Sequence, residues 1–381
     1  MSDALDPADP EPADPDRADP GSADPDPAEL DRAGLDPAPV LDAVGVALGR
    51  PLTLLEPLGG SPRSGVWRAG DDAGTVVLKA HRDGAAAARR EAQGLSGARG
   101  SGVAPRLLLV LDEPAVVVME DLGTGPDVAD GLLSRDPARA RRSMRLWAEA
   151  VAGLHVASHP RAAELRGGTL GSSMPALVTQ AAEDLDRHAD RLGVGHVDGF
   201  AEALTGLAAG LAGSEHQALS PGDVCPDNNT ERDGRLVLFD FEFAELRDVA
   251  WDASYLRVPW PTCWCAWQVP EAETRAALDR YREVAAATLP HVGTDAFEAE
   301  VDAAVLAWCL LTTSWFLPAA LDDDPVRSRH APRRRPVVLH RLELVARSEG
   351  PDPLRDLAGR LRRALVDRWG EQPLALAPAF R

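Results

Sequence analysis

The sequence predicts an α+β architecture, with a small N-terminal antiparallel sheet carrying one helix and then a larger, mostly helical region. Three observations predict it. Short β-branched runs separated by Gly, Asp and Ser occupy much of residues 52–122. One stretch of helix formers interrupts them after the third run. From residue 136 onward, apolar residues recur at helical spacing behind capping residues.

Ahead of these elements stands "MSDALDPADPEPADPDRADPGSADPDPAEL". Residues 1–40 hold twelve acids against Arg17 and Arg32, so about a tenth of the chain supplies half of the net charge of -20. Such a stretch buries too little apolar surface to offset its ordering entropy, so residues 1–39 are expected to form a disordered acidic tail. It has neither the basic start nor the apolar centre of a signal peptide, and its composition identifies no protein partner. The rest of the 381 residues are mildly acidic, which argues against a grip on nucleic-acid phosphates.

A short helix is expected near residues 40–48. The runs "LTLLEPL", "SGVWRA" and "GTVVLKAH" then read as three strands. "DGAAAARREAQGLSGA" reads as a helix with Asp83 placed to cap it, and "PRLLLVLD" and "AVVVMEDLG" as two further strands. Residues 40–122 therefore form one unit and residues 123–381 a second, helical one. In "DPARARRSMRLWAEAVAGLHVASH", Asp136 is placed to cap and Pro137 stands in the permissive first turn. More helices are expected near 176–193, 199–212, 271–288, 296–320 and 352–368. Between them "PGDVCPDNN" reads as a loop, followed by a hairpin whose second arm is "RLVLFDFEFA".

Residues 303–321, "AAVLAWCLLTTSWFLPAAL", approach the length of a membrane span. Thr312, Thr313 and Ser314 at mid-run, Pro318, and flanking acids favour a buried core helix instead, and no membrane partner is expected. Four cysteines make no disulfide framework in a chain this long. Cys263 and Cys265 in "TCWC" lack a second pair and a nearby His, so they read as reduced thiols in a cytoplasmic protein.

Several polar residues acquire meaning through their order. Singly, Lys79 is a strand-end lysine, Glu91 an exposed helix charge, and Asp223 or Asp240 a turn residue. Together they match what a nucleotide's phosphates require: a close-approaching cover, a cation, and oxygen ligands for a divalent metal. Gly59, Gly60 and Gly65 lie between two strands and can supply the cover. Lys79 can reach the phosphates with Glu91 orienting its amine. Asp223 can accept a hydroxyl proton, and Asn228 and Asp240 offer oxygens to Mg²⁺. No Gly-x4-Gly-Lys-Ser/Thr loop occurs.

In this order the motifs resemble the aminoglycoside phosphotransferase family, the small-molecule branch of the bilobal protein-kinase-like fold. "PGDVCPDN" matches the family's His-Gly-Asp-x4-Asn loop, and "LFDFEFA" its Ile-Asp-Phe/Trp-Glu motif. "RDVAWDA" echoes Gly-Asp-Pro-x-x-Asp-Leu, while "VVLK", "RREAQGL" and "VVVMEDL" resemble the phosphate lysine, its partner and the hinge. The likeness spans about residues 50–320. It implies ATP and Mg²⁺ as cofactors, and a hydroxylated small molecule of aminoglycoside, sugar or amino-alcohol type as acceptor.

By the same resemblance, Asp223 is the base, and Asn228 and Asp240 are the metal ligands. Lys79, paired with Glu91, contacts the phosphates, and backbone groups of Glu120, Asp121 and Leu122 receive adenine. Asp248 and Asp252 hold the catalytic loop. Pro221 replaces the family's His, a scaffold residue, so an active enzyme is still expected. Cys225 stands where Ser/Thr protein kinases carry a Lys, and no long activation segment follows Asp240. A protein substrate is thus the weaker alternative, as is a kinase-like regulatory module with little catalysis. His155 reads as structural, and Trp260, Trp264 and Trp267 as packing rather than an acceptor pocket.

Overall fold

The computed structural model describes residues 35–168, 170–322, 324 and 330–381. Most of the acidic tail therefore lies outside the described residues. The first helix, α1 (Pro37–Leu48), begins earlier than the sequence suggested, because Asp36 accepts from the Ala38 N–H and Pro37 occupies the first turn. The last residues assigned to the tail are thus helical.

Five strands follow: β1 (Thr53–Ser61), β2 (Ser64–Asp71), β3 (Gly74–His81), β4 (Leu107–Asp112) and β5 (Ala115–Glu120), with α2 (Ala85–Gly97) between β3 and β4. They pair antiparallel in the order β1-β2-β3-β5-β4. Strand alternation sorts the side chains to two faces. Val76, Leu78, Ala80, Val116 and Val118 pack beneath Val40 and Val44 of α1. Val117 and Met119 face the other way, joining Ala88, Ala92 and Leu95 of α2 in the main core. That alternation sends Lys79 and His81 of β3 to the α2 side, where Glu91 stands. Asp83 does not cap α2. Gly84, at φ 78°, takes the N-cap position, and no side chain closes that end.

The larger lobe is helical, as expected. It runs through α3 (Val128–Leu133), α4 (Pro137–Ser158), α5 (Ala162–Arg166), α6 (Met174–Arg191) and α7 (Phe200–Ala212). Strands β6 (Gln217–Ser220), β7 (Asn229–Arg232), β8 (Arg235–Leu238) and β9 (Glu245–Asp248) then flank the loops of interest. Last come α8 (Ala250–Ala253), α9 (Glu271–Ala285), α10 (Asp295–Leu321), α11 (Arg334–Arg347) and α12 (Asp352–Trp369). Helix α10 is long and apolar enough to cross a membrane, yet most of its apolar window is buried inside the protein. It packs against α6, α7, α8 and α11 as a core helix.

The hairpin at 229–238 is closed by a tight turn. Its turn is only Asp233-Gly234, both at positive φ, as a two-residue connection requires. Strand β8 ends at Leu238, so Asp240 stands on a loop, itself at φ 63°. The β6–β9 pair was not expected. It brackets the segment between them, joining Ser220 to Glu245 and Gln217 to Asp248.

Candidate active site

One loop of the larger lobe, between β8 and β9, meets the sheet of the smaller one around a single lysine. Lys79 is 5% exposed, and its Nζ lies 2.5 Å from Asp240 Oδ1, 3.1 Å from Glu242 Oε2 and 3.2 Å from Glu91 Oε2. Glu91, fully buried, also has His81 Nε2 2.8 Å from its Oε2. Glu242 receives Arg63 Nη2 at 2.9 Å. Three carboxylates therefore share one lysine, with an arginine and a histidine at the edges.

The surplus of negative charge has a direct electrostatic reading. Burial acts to raise the Lys79 counter-ions, and the lysine opposes it unequally. Asp240 is pushed up to about 6 by burial and by neighbouring Glu242 and Glu91, although Lys79 pulls it down. For Glu242, burial is outweighed by Lys79 and Arg63, and its carboxyl falls to about 2. Lys79 itself stays charged, since the three acids outweigh its desolvation. Glu242 lies within "LFDFEFA", where sequence alone assigns it no role, and Arg63 and His81 carry no motif signal at all.

The glycine-bearing turn at the β1–β2 end is built for close approach. Gly59 has φ 127°, and a Cβ on Gly60 would lie 2.4 Å from the Ser64 carbonyl oxygen. A Cβ on Gly65 would meet the Trp67 ring at 2.6 Å. Arg63, at the turn between them, reaches Glu242 and lies over the Phe243 ring at 4.9 Å. It ties the turn to the larger lobe.

Asp223 sits on the loop after β6, half-buried. Its Oδ1 accepts from Thr262 Oγ1 at 2.8 Å. Burial, with Cys263 nearby, pushes its carboxyl up to about 7, against the pull of hydrogen bonds from Cys225 and Thr262. Asn228 donates Nδ2 to the Asp223 carbonyl at 3.2 Å, which turns its Oδ1 away from that bond. Neighbouring Asn229 serves the scaffold: its amide donates to the Cys225 and Pro226 carbonyls and accepts from the Val128 N–H. Trp147 Nε1 donates to the Val224 carbonyl at 3.0 Å. The loop is held from both sides.

Pro221 is buried, and its neighbours fix the backbone that it cannot hydrogen-bond. Ser220 Oγ accepts from the Gly222 N–H and donates to Asp252 Oδ1, each at 3.0 Å. Gly222 must be glycine, since its φ is 91° and a Cβ would lie 2.2 Å from the Phe243 carbonyl oxygen. Asp252, fully buried, also takes Arg247 and His155, and His155 Nδ1 pairs with the Tyr281 hydroxyl at 2.8 Å. Asp248 instead accepts from the Ala250 N–H at the start of α8. It reaches the loop only through the β6–β9 pairing.

At the hinge, both acidic side chains are engaged. Asp121 accepts from Arg68 Nε at 2.7 Å and from the Gly123 N–H at 2.9 Å, while Glu120 accepts from Arg232 at 3.0 Å. Leu122 follows, half-buried, where the chain crosses between lobes. Trp260 and Trp264 are buried, Trp264 donating to Asp227, and half-buried Trp267 donates to the His330 carbonyl.

Comparison with known proteins bears on this arrangement. No curated protein matches the sequence significantly. Among solved structures, a candidate aminoglycoside phosphotransferase from Ralstonia eutropha aligns at TM-score 0.50 and 14% identity, over 83% of this chain and 93% of that one. A choline/ethanolamine kinase family protein from Mesorhizobium loti aligns at TM-score 0.49 and 20% identity, over 85% and 97%. The macrolide 2′-phosphotransferase MphH from Brachybacterium faecium aligns at 0.45 and 20%, over 78% and 94%. The first of these likenesses shows the bilobal, protein-kinase-like fold. The sequence model of the phosphotransferase enzyme family, APH, matches residues 53–280, well over half of the chain, and the protein belongs to that family.

Proposed function

We propose that the protein transfers the γ-phosphoryl group of Mg·ATP to a hydroxyl of a small molecule. The observation that carries the reading is the convergence of Lys79, Glu91, Asp240 and Glu242 beneath the glycine turn, beside the loop of Asp223 and Asn228. Such a site can grip phosphates through a buried amine that keeps its charge. Glu91 holds that amine from the α2 side, with His81 beside the glutamate.

The residues present fit a divalent cation. Carboxylate and amide oxygens of Asp240 and Asn228 form a hard donor set, and a cation there would offset the burial and the neighbouring carboxylates that raise Asp240. When bound there, Mg²⁺ supplies positive charge against the phosphate oxygens. The chain's own residues do the rest. Asp223 orients the acceptor hydroxyl and takes its proton as the oxygen bonds to the γ-phosphorus. The bond from that phosphorus to the β–γ bridging oxygen breaks, and ADP leaves with its electrons. Thr262 holds the Asp223 carboxylate in place for this. Adenine binds against backbone groups of residues 120–122.

Positioning and charge neutralisation dominate phosphoryl transfer, so this short set of groups suffices. The acceptor is a sugar, amino-alcohol or aminoglycoside type of molecule. The test is ADP formation from Mg·ATP across a panel of such acceptors. Stimulation by at least one member, lost without Mg²⁺, supports the reading. Nucleotide binding with no acceptor-dependent turnover across the panel would instead favour a regulatory module.

A further inference from the structure

The catalytic loop rests on a buried patch of sulfur. Cys225, Cys263 and Cys265 are buried and take part in no disulfide. Sγ of Cys225, Sγ of Cys263 and a carboxylate oxygen of Asp227 all lie within 4.8 Å of one another. Cys263 Sγ is 3.6 Å from Asp227 Oδ1 and 3.1 Å from Cys265 Sγ. The second oxygen of Asp227 accepts from Trp264 Nε1 at 2.7 Å, which fixes the carboxylate plane and turns Oδ1 toward the sulfurs.

We propose that Cys225, Asp227 and Cys263 form the core of a structural site for a thiophilic divalent cation of the Zn²⁺ class, which Cys265, 3.1 Å from Cys263, completes by turning its sulfur inward. The donor set is the argument. Three sulfurs and one carboxylate oxygen make four ligands, the number that a closed tetrahedral zinc site uses, and soft thiolates discriminate against Mg²⁺. The ligands come from two separate segments. Cys-x-Cys alone is a weak signal, and its partners arrive from the catalytic loop only when the chain folds. Trp264 plays the outer-shell part that commonly orients a ligating carboxylate.

Thiolates on one tetrahedral zinc stand about 3.8 Å apart, given Zn–S bonds of about 2.3 Å. Cys263 and Cys265 therefore separate by less than an ångström on binding, and Cys265, which stands outside the group of atoms within 4.8 Å of one another, swings its sulfur toward Cys225 and Asp227. Asp227 is half-buried, so the cluster has an open side. As each sulfur bonds to the ion, its proton leaves to solvent.

The site would staple the loop of residues 223–228 to residues 262–265. Thr262, the hydrogen-bond donor to Asp223, directly precedes Cys263. Holding Cys263 thus holds the group that orients Asp223. Cation binding at this cluster is independent of whether the protein transfers phosphate.

The test uses the full chain, reduced and stripped with chelator, then titrated with Co²⁺ and Zn²⁺. One Co²⁺ per chain with strong thiolate-to-cobalt charge-transfer absorption is expected, displaced by Zn²⁺, together with a higher melting temperature. Cys263→Ser should lose the stoichiometric site, and Cys309→Ala, which alters the buried thiol outside the cluster, should keep it. Trp264→Phe should weaken binding by about 10–100-fold. A cobalt spectrum without thiolate absorption would overturn the proposal. So would a Cys263→Ser protein that still binds one ion with the wild-type spectrum. Should that variant fail to fold, the wild-type cobalt spectrum decides alone.

Discussion

Replacing Asp252 with Asn tests how the catalytic loop is held. Asp252 is fully buried and accepts from Ser220, Arg247 and His155 at once. Burial acts to raise its carboxyl, and Arg247 and then His155 more than reverse this, bringing it from 3.8 to about 2. At about 1.4 kcal/mol per pKa unit, that shift corresponds to about 2–3 kcal/mol of stability at pH 7. The folded pKa lies below the unfolded one. The contribution is therefore complete above about pH 4 and is lost as pH falls through about 2, with about half remaining at pH 3.

Thermal melts of wild type and Asp252→Asn across this range read the effect. A gap of about 3 °C is expected at pH 7, shrinking to about half at pH 3. Arg247 keeps Glu245 at 3.1 Å in the variant, so the fold should survive the loss. A melting gap that stays constant from pH 7 to pH 3 would refute the electrostatic argument. The stabilisation would then come from shape alone.

Other substitutions separate the parts of the site. Lys79→Met should lower kcat/KM by about 10²–10³-fold in an ADP-release assay while still melting cooperatively, because His81 and Arg63 continue to serve Glu91 and Glu242. Gly222→Ala places a Cβ 2.2 Å from the Phe243 carbonyl oxygen at φ 91°, and should cost at least about 2 kcal/mol in denaturant unfolding. Arg63→Ala releases the glycine turn from Glu242. It should raise the KM for ATP several-fold and change stability by no more than about 1 kcal/mol, since Arg63 is 28% exposed.

Much of the smaller lobe could be read from residue order, because its strands are β-branched runs with glycine and aspartate at the turns. Lys79 and Glu91 could be placed for the same reason: strand alternation and a following helix leave little choice of face. Elements built from distant contacts were harder to see. Strands β6 and β9 are four residues each and pair only with one another. Helix α11 was missed because its arginines hide the apolar period. Its N-terminus is capped by Asp324, ten residues earlier, which accepts from the Arg334 N–H. Buried Arg341 donates to the Pro261 carbonyl, so a charged residue faces inward where the pattern suggests solvent.

The site divides the same way. Asp223, Asn228 and Asp240 stand on contiguous motifs, and their contacts are local or with Lys79: Asn228 donates to the Asp223 carbonyl, and Asp240 meets the lysine. Glu242 lay in plain view within its motif, yet only its contact with Lys79 gives it a part. Arg63 and Thr262 join through folding alone, and nothing in their local sequence marks them.

The central claim is that Asp223 carries the proton in a phosphoryl transfer powered by Mg·ATP. Label in the γ-phosphate should appear on an acceptor hydroxyl when wild-type protein is mixed with a productive member of the acceptor panel. Asp223→Asn keeps the loop's shape and removes only the charge, so it should bind nucleotide with little change. Its transfer rate should fall by about 10²–10⁴-fold. Transfer by Asp223→Asn at the wild-type rate would contradict the account, and loss of nucleotide binding in that variant would move Asp223 into the metal site.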